Sequence, residues 1–210
     1  VGSEMCIRDS VISAPSGAGK SSLIGYITQS FDNVELSISA TTRSPRDGEE
    51  NGKHYFFMSN DEFNSLKKDK HAFIENAEVH DHQYGTPRSY IEYRVNHGIN
   101  IILDIDVQGF KQIQRAGIEN TSIFIVPPSM AELKSRLVKR GLDSDEVIDK
   151  RLNNAIKELE HAKDFDYKIL NDDFDSACKA LSAIIIDGDL AEPDDNLSLI
   201  HISEPTRPSQ

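Results

Sequence analysis

The segment Ala14-Pro15-Ser16-Gly17-Ala18-Gly19-Lys20-Ser21 constrains this chain more than any other. It matches the phosphate-loop pattern G-x-x-x-x-G-K-[ST] at every fixed position except the first, where Ala14 replaces glycine. Such a loop belongs between a buried strand and a helix. Glycines at positions 17 and 19 let backbone N–H groups turn toward an anion, and the helix adds its positive N-terminus. The flanking residues comply: Val11-Ile12-Ser13 reads as the end of a buried strand, and Lys20 to about Gln29 as a helix. With the loop taken as Ala14 to Ser22, Lys20 is placed to reach β- and γ-phosphates, and Ser21 to reach a Mg²⁺ ion. A ligand-free glycine turn is the alternative, and the loop alone names no second substrate.

The strand-then-helix rhythm continues. Ile99 to Leu103, interrupted only by Asn100, leads into Asp104 and Asp106. It predicts a strand with carboxylates at its C-terminal end, where open α/β sheets hold ligands. Thr121 to Val126, closed by Pro127-Pro128, and Tyr167 to Leu170 predict two more strands. Met130 to Lys139 and Ser144 to Lys163 predict helices. The second is capped by Ser144 and carries Val147, Ile148, Leu152, Ala155, Ile156 and Leu159 at helical spacing. The fold class is therefore α/β, a mostly parallel sheet flanked by helices on both faces. Residues 37–86 break the rhythm with short β-like pieces, His54 to Phe57 and Ala72 to Val79, around one short helix, and predict an inserted lobe.

A length of 210 residues suits one domain with such a lobe. The net charge of -12 excludes a general nucleic-acid-binding face, which needs clustered Lys and Arg, so any anionic ligand must meet a local basic pocket. No apolar run approaches the roughly 20 residues that span a bilayer, so no membrane partner is expected. Cys6 and Cys178 are too few for a disulfide framework and lack metal-ligand spacing, and His80 and His82 have no Cys or third His nearby. A cytoplasmic location is expected.

Both ends read as foreign. The DNA string GTGGGCTCGGAGATGTGTATAAGAGACAG encodes Val1 to Asp9 and begins a serine codon. Its reverse complement encodes Leu197 to Pro205 and begins a threonine codon. Residues 1–10 and 197–210 are therefore expected to be adapter-derived flanks and are set aside from functional reasoning.

Within the lobe, Ser39-Ala40-Thr41-Thr42-Arg43-Ser44-Pro45-Arg46, followed by Gly48 and Asn51 to Tyr55, gathers two arginines and several hydroxyls. Arginine forks bind phosphate oxygens bidentately and a tyrosine hydroxyl adds one bond, so a phosphate monoester would suit the segment. Phe73-Ile74-Glu75 and Gln83-Tyr84-Gly85-Thr86 lie in the same lobe. Guanine offers adjacent N1–H and N2–H₂ donors that one carboxylate can accept together, which makes Glu75 the candidate base reader. The plainer alternatives are a solvated basic loop and a surface glutamate.

In order and spacing, several segments together resemble the guanylate kinases. They are the phosphate loop, Thr41 to Arg46, Gly48 to Tyr55, Phe73-Ile74-Glu75, Leu103-Asp104-Ile105-Asp106-Val107-Gln108-Gly109 and Lys150-Arg151-Leu152, and they cover nearly all of residues 11–196. The resemblance implies a P-loop nucleoside monophosphate kinase fold with a core of 11–36 and 87–196, a GMP-binding lobe of 37–86 and a helical lid of about 136–151. It implies conversion of GMP to GDP with ATP and Mg²⁺, with dGMP a further candidate acceptor. Ser39, Arg43, Arg46, Tyr55, Glu75, Tyr84, Thr86 and Asp106 would hold GMP. Lys20, Arg46, Arg140 and Arg151 would stabilise charge on the transferred group, the last two arriving with the lid and Arg136 lying beside them. The loop Ala14, Pro15, Ser16, Gly17, Ala18, Gly19, Lys20, Ser21 and Ser22 would hold ATP, with Asn171 and Asp172 near its adenine. Two alternatives stay open: a guanylate-kinase-like binding module without chemistry, and a related kinase for another phosphorylated acceptor. Gly17, Gly19, Lys20 and Ser21 favour an enzyme, because such modules tend to lose the phosphate loop, and Glu75 with Tyr84 favours guanine.

Overall fold

Alternation of side chains along fully buried strands sets the architecture. A computed structural model describes residues 10–79, 81–139, 141 and 144–187. Residues 1–9 and 188–210, and with them nearly all of the expected flanks, lie outside the described residues, as do His80, Arg140, Leu142 and Asp143. Strand β1 (Ser10–Ser13) starts one residue before the expected Val11 and is buried along its whole length. Helix α1 (Lys20–Ser30) follows the phosphate loop, then β2 (Val34–Leu36). The lobe holds β3 (Ala40–Thr41), β4 (Phe56–Phe57), α2 (Asn60–Lys67), β5 (Phe73–Val79) and β6 (His82–Pro87). The chain returns through α3 (Arg88–Asn96), β7 (Asn100–Asp104), α4 (Val107–Arg115), β8 (Thr121–Val126), α5 (Met130–Lys139) and α6 (Asp145–Leu159). A 3-10 turn (Ala162–Asp164), β9 (Tyr167–Leu170), α7 (Phe174–Ser182) and a helical turn (Ala183–Asp187) complete it.

Five parallel strands form the main sheet in the order β2-β7-β1-β8-β9. Because successive residues point to opposite faces, the apolar runs serve two cores at once. On one face Ile12, Ile102, Ile123 and Ile125 pack with Leu23 and Ile27 of α1 and Leu181 of α7. On the other, Val11, Ile101, Leu103 and Phe124 pack with Ile91 of α3 and with Phe110 and Ile113 of α4. Each such side chain contributes roughly 1.5–3 kcal/mol by leaving water. β1 lies at the centre, and its register sets Ile12 opposite Asp104, so the phosphate loop emerges beside the carboxylate end of β7. Among the described residues, no helix is long and apolar enough to cross a membrane.

The lobe is a second, four-stranded sheet, β4-β3-β6-β5, over a small core of Ala40, Phe63 and Phe73. The Phe63 and Phe73 rings stack at 4.6 Å. α2 is started by a reciprocal cap: Glu62 N–H donates to Ser59 Oγ (3.2 Å), and Ser59 N–H donates to the Glu62 carboxylate (2.7 Å). A register shift between Phe73 and Asn76 leaves Phe73, Ile74 and Glu75 all buried, against strict alternation. Ile74 thereby joins the main core. Gln112 of α4 makes a two-way amide bond with the Asn76 backbone (3.1 and 2.7 Å), which ties β5 to the core.

The helix expected over Ser144 to Lys163 ends at Leu159 and gives way to the 3-10 turn. Ser144 adopts the extended cap conformation. Of its expected apolar stripe, Ile148 and Ala155 are buried, whereas Val147 and Ile156 are exposed. α6 packs on α5 along one narrow face, which needs fewer apolar positions than the spacing supplies.

Candidate active site

The phosphate loop is shaped by two glycines in the left-handed region, Gly17 and Gly19, both at φ +94°. Ala18 N–H donates to the Pro15 carbonyl (3.0 Å), closing the turn. A side chain at position 17 would press on Leu133 of α5 at 3.0 Å, and one at 19 would collide with Asn171 Nδ2, so conformation favours glycine at both positions and space adds to it most strongly at 19. Ala14, the departure from the motif, turns its methyl group to the core cluster under α1, which explains why alanine fits there. The loop residues Ala14 to Gly17 and Gly19 to Ser22 line a cavity of about 370 Å³ with Asp104 and Glu158. Lys20 Nζ pairs with Asp104 at 2.5 Å.

Glu158 is a site residue that the sequence reading missed. It lies seven residues, two helical turns, beyond Arg151 on α6, so spacing from that arginine was the available signal. Burial pushes its carboxyl above the usual range, Lys20 opposes that and Asp106 adds to it.

A second cavity, of about 360 Å³, shares Gly17, Gly19 and Ser22 with the first and continues past Arg136, Asn171, Asp172 and Phe174. Asn171 is only 5% exposed. Its Nδ2 donates to the Ala18 carbonyl (2.7 Å), and its own carbonyl accepts from Arg136 Nη2 (3.3 Å). Arg136 Nε donates to Glu132 (2.9 Å). Arg151 is half-buried on α6, and Arg140 lies outside the described residues.

In the lobe, Arg43 forks onto Glu49 with Nη1 at 3.0 Å and Nη2 at 2.9 Å, and Nη1 also donates to the Ser44 carbonyl (2.8 Å). Arg46 N–H donates to the same Glu49 carboxylate (2.8 Å), while the Arg46 side chain stands exposed. The Arg43 fork, helped by Arg46 N–H, holds the Glu49 carboxyl down at about 2. Arg43 also lies 5.4 Å from the centre of the Tyr55 ring, and its charged form is favoured by Glu49 first and by Tyr84 as well, the Tyr84 ring meeting Tyr55 at 6.1 Å. Arg43, Tyr55 and Tyr84 are thus brought together, with half-buried Ser39 just before β3.

Glu75 is 7% exposed and accepts a 2.6 Å bond from the Thr86 hydroxyl. Burial raises its carboxyl above the usual range, Thr86 counteracts this and Asp106 adds repulsion. A side chain at Gly109 would meet Glu75 Oε2 at 3.1 Å, so that glycine lets α4 approach the carboxylate. Asp106 caps α4 by accepting from Gly109 N–H (2.8 Å). The expected acceptor residues therefore fall in two groups, Arg43-Tyr55-Tyr84 on the β3–β6 side and Glu75-Thr86-Asp106 at the seam between lobe and core.

A sequence model of the Guanylate kinase family matches residues 7–187. The guanylate kinases of Salmonella typhimurium and Escherichia coli (strain K12) are each 49% identical over 177 residues, which is 83% of this chain and 85% of the relative. Among solved structures, the guanylate kinase from Anaplasma phagocytophilum is similar at 35% identity with a TM-score of 0.63, over 87% of this chain and 86% of that one.

Proposed function

The chain belongs to the guanylate kinase family, and from that premise we infer that it is a nucleoside monophosphate kinase that phosphorylates GMP to GDP. ATP is proposed as the donor and Mg²⁺ as the companion ion. One observation carries the reading: a phosphate loop that keeps Gly17, Gly19, Lys20 and Ser21, and a lobe that buries the Glu75 carboxylate, occur in one chain. A module kept only for binding has no use for the first of these.

The residues divide the work. Backbone N–H groups of the loop from Ala14 to Ser22 would cradle the β- and γ-phosphates, with Lys20 exchanging Asp104 for phosphate oxygens. The Ser21 hydroxyl and the Asp104 carboxylate are hard oxygen donors on one cavity, the chemistry that suits Mg²⁺. When bound, that ion would neutralise charge on the β- and γ-phosphates. Arg43, Arg46, Tyr55 and Tyr84 would grip the GMP phosphate, with Ser39 beside them. Glu75 would accept the guanine N1–H and N2–H₂, with Thr86 and Asp106 holding GMP beside it. A GMP phosphate oxygen then attacks the γ-phosphorus in line, the bond to the β–γ bridging oxygen breaks, and ADP leaves. Arg46, Arg140 and Arg151 would face the transferred group as the lid formed by α5 and α6 closes. Asp172 would lie on the adenine side. A cytoplasmic setting and the absence of nucleic-acid partners remain part of the proposal.

A panel of nucleoside monophosphates with ATP and Mg²⁺ in a coupled assay tests this. GMP should be the preferred acceptor, with dGMP second. Phosphorylation of no acceptor would return the chain to the binding-module reading.

A further inference from the structure

Asn171 was expected near the adenine, yet its backbone N–H, its backbone carbonyl and its side-chain Nδ2 are engaged with protein. Its backbone N–H donates to the Val126 carbonyl (2.8 Å), continuing the β8–β9 pairing by one residue. Its carbonyl accepts from Arg136, and its side-chain amide donates to the Ala18 carbonyl at 2.7 Å, both groups being buried. We propose that Asn171 is a positioning residue for the phosphate loop, fixing the orientation of the Ala18–Gly19 peptide.

A trans peptide is planar, and its C=O and N–H point to opposite sides. Holding the Ala18 oxygen against Asn171 therefore turns the Gly19 N–H away from Asn171. An unanchored Ala18–Gly19 peptide would flip easily, because glycine at 19 tolerates both signs of φ, and would present an acceptor oxygen where an anion needs a donor. Space reinforces the bond: a Cβ at position 19 would collide with Asn171 Nδ2, so amide and glycine form one fitted pair. The Glu132–Arg136–Asn171 sequence of bonds (2.9 and 3.3 Å) links this pair to α5, the first helix of the proposed lid. The inference rests on the phosphate loop being the donor-nucleotide site, but not on GMP being the acceptor.

Tripolyphosphate, which has neither base nor ribose, separates loop positioning from base contact. We compare binding of ATP and of tripolyphosphate to the full chain and to Asn171→Leu and Asn171→Ala, with GMP affinity as the check that each variant is folded. Both ligands should weaken by the same factor, about tenfold for loss of a buried hydrogen-bond donor, while GMP affinity stays within about twofold. Weakening confined to ATP would overturn the proposal in favour of a base contact, and no change with either ligand would overturn it outright. Should neither variant bind GMP, exchange of the Asn171 side-chain amide protons in the nitrogen-labelled wild-type chain decides the matter. Slow exchange without ligand that persists with ATP and with tripolyphosphate supports the anchor. Fast exchange, or a response to ATP alone, refutes it. Failure of wild-type GMP phosphorylation would instead strike the functional reading and leave these arms interpretable.

Discussion

The two proposed anion-binding regions of this molecule are built on opposite principles. In the core, the phosphate loop hangs from the central strand of a five-stranded sheet and offers backbone, with two left-handed glycines and a helix N-terminus. In the lobe, a four-stranded sheet over a three-residue core presents side chains, and the proposed binding surface is made of Arg43, Tyr55, Tyr84 and Glu75. Each region keeps its principal cation paired, Lys20 with Asp104 and Arg43 with Glu49. Phosphate must compete with a carboxylate in both places. A backbone cradle holds any triphosphate and therefore sets chemistry, while a side-chain surface distinguishes acceptors and therefore sets specificity.

The sharpest way to break that division is Lys20→Ala. Turnover in the coupled assay should fall on the order of a thousandfold, as for loss of a charge stabilising the transition state, while equilibrium GMP binding to the lobe is retained. Near-normal turnover would remove Lys20 from the mechanism. Glu75→Gln attacks the other half: the GMP KM should rise roughly tenfold or more with the ATP KM unchanged. The same substitution should raise the melting temperature measured without nucleotide. The sign follows from linkage. A carboxyl whose folded pKa is raised binds more protons folded than unfolded, so its ionisation destabilises the fold as pH rises. Stability should therefore gain, and the GMP KM rise, as pH is lowered through the Glu75 titration, and Glu75→Gln should flatten both trends.

A third comparison uses glycines. Gly19 and Gly48 both have positive φ, +94° and +83°, but only Gly19 has a neighbour inside contact distance. Gly19→Ala should destabilise by about 1–3 kcal/mol or more and Gly48→Ala by about 1 kcal/mol, read as thermal melts. Equal losses would mean that the Asn171 contact does not constrain the loop. The smallest expected effect is at Glu49. Its depressed carboxyl contributes stability that is present above the ordinary glutamate range and is lost as pH falls toward about 2. Acid melts of Glu49→Gln should lack that component.

Where one pattern dominates a segment, the chain could be read directly. Thr121–Val126, Tyr167–Leu170 and Met130–Lys139 fall where apolar runs, prolines and helical spacing put them. The phosphate loop was legible for the same reason, since its glycines have a local conformational cause. What sequence did not show depends on distant partners. Glu75 is buried because a register irregularity in β5 overrides alternation and Gly109 lets a helix approach. Glu158 reaches the loop cavity only through the packing of α6. The Asn171 bond to Ala18 joins residues 153 positions apart, and no local pattern records it. Val147 and Ile156 have the right spacing for burial but face outward, because α6 packs chiefly on α5.

Phosphorus NMR of the chain with ATP, GMP and Mg²⁺ tests the central claim, that the backbone cradle hands its phosphoryl group to the acceptor held by the lobe. The account predicts matched growth of ADP and GDP signals, with no parallel release of inorganic phosphate, because transfer goes to GMP rather than to water. ATP consumed to ADP and inorganic phosphate without GDP, or no reaction while both nucleotides are bound, would contradict it.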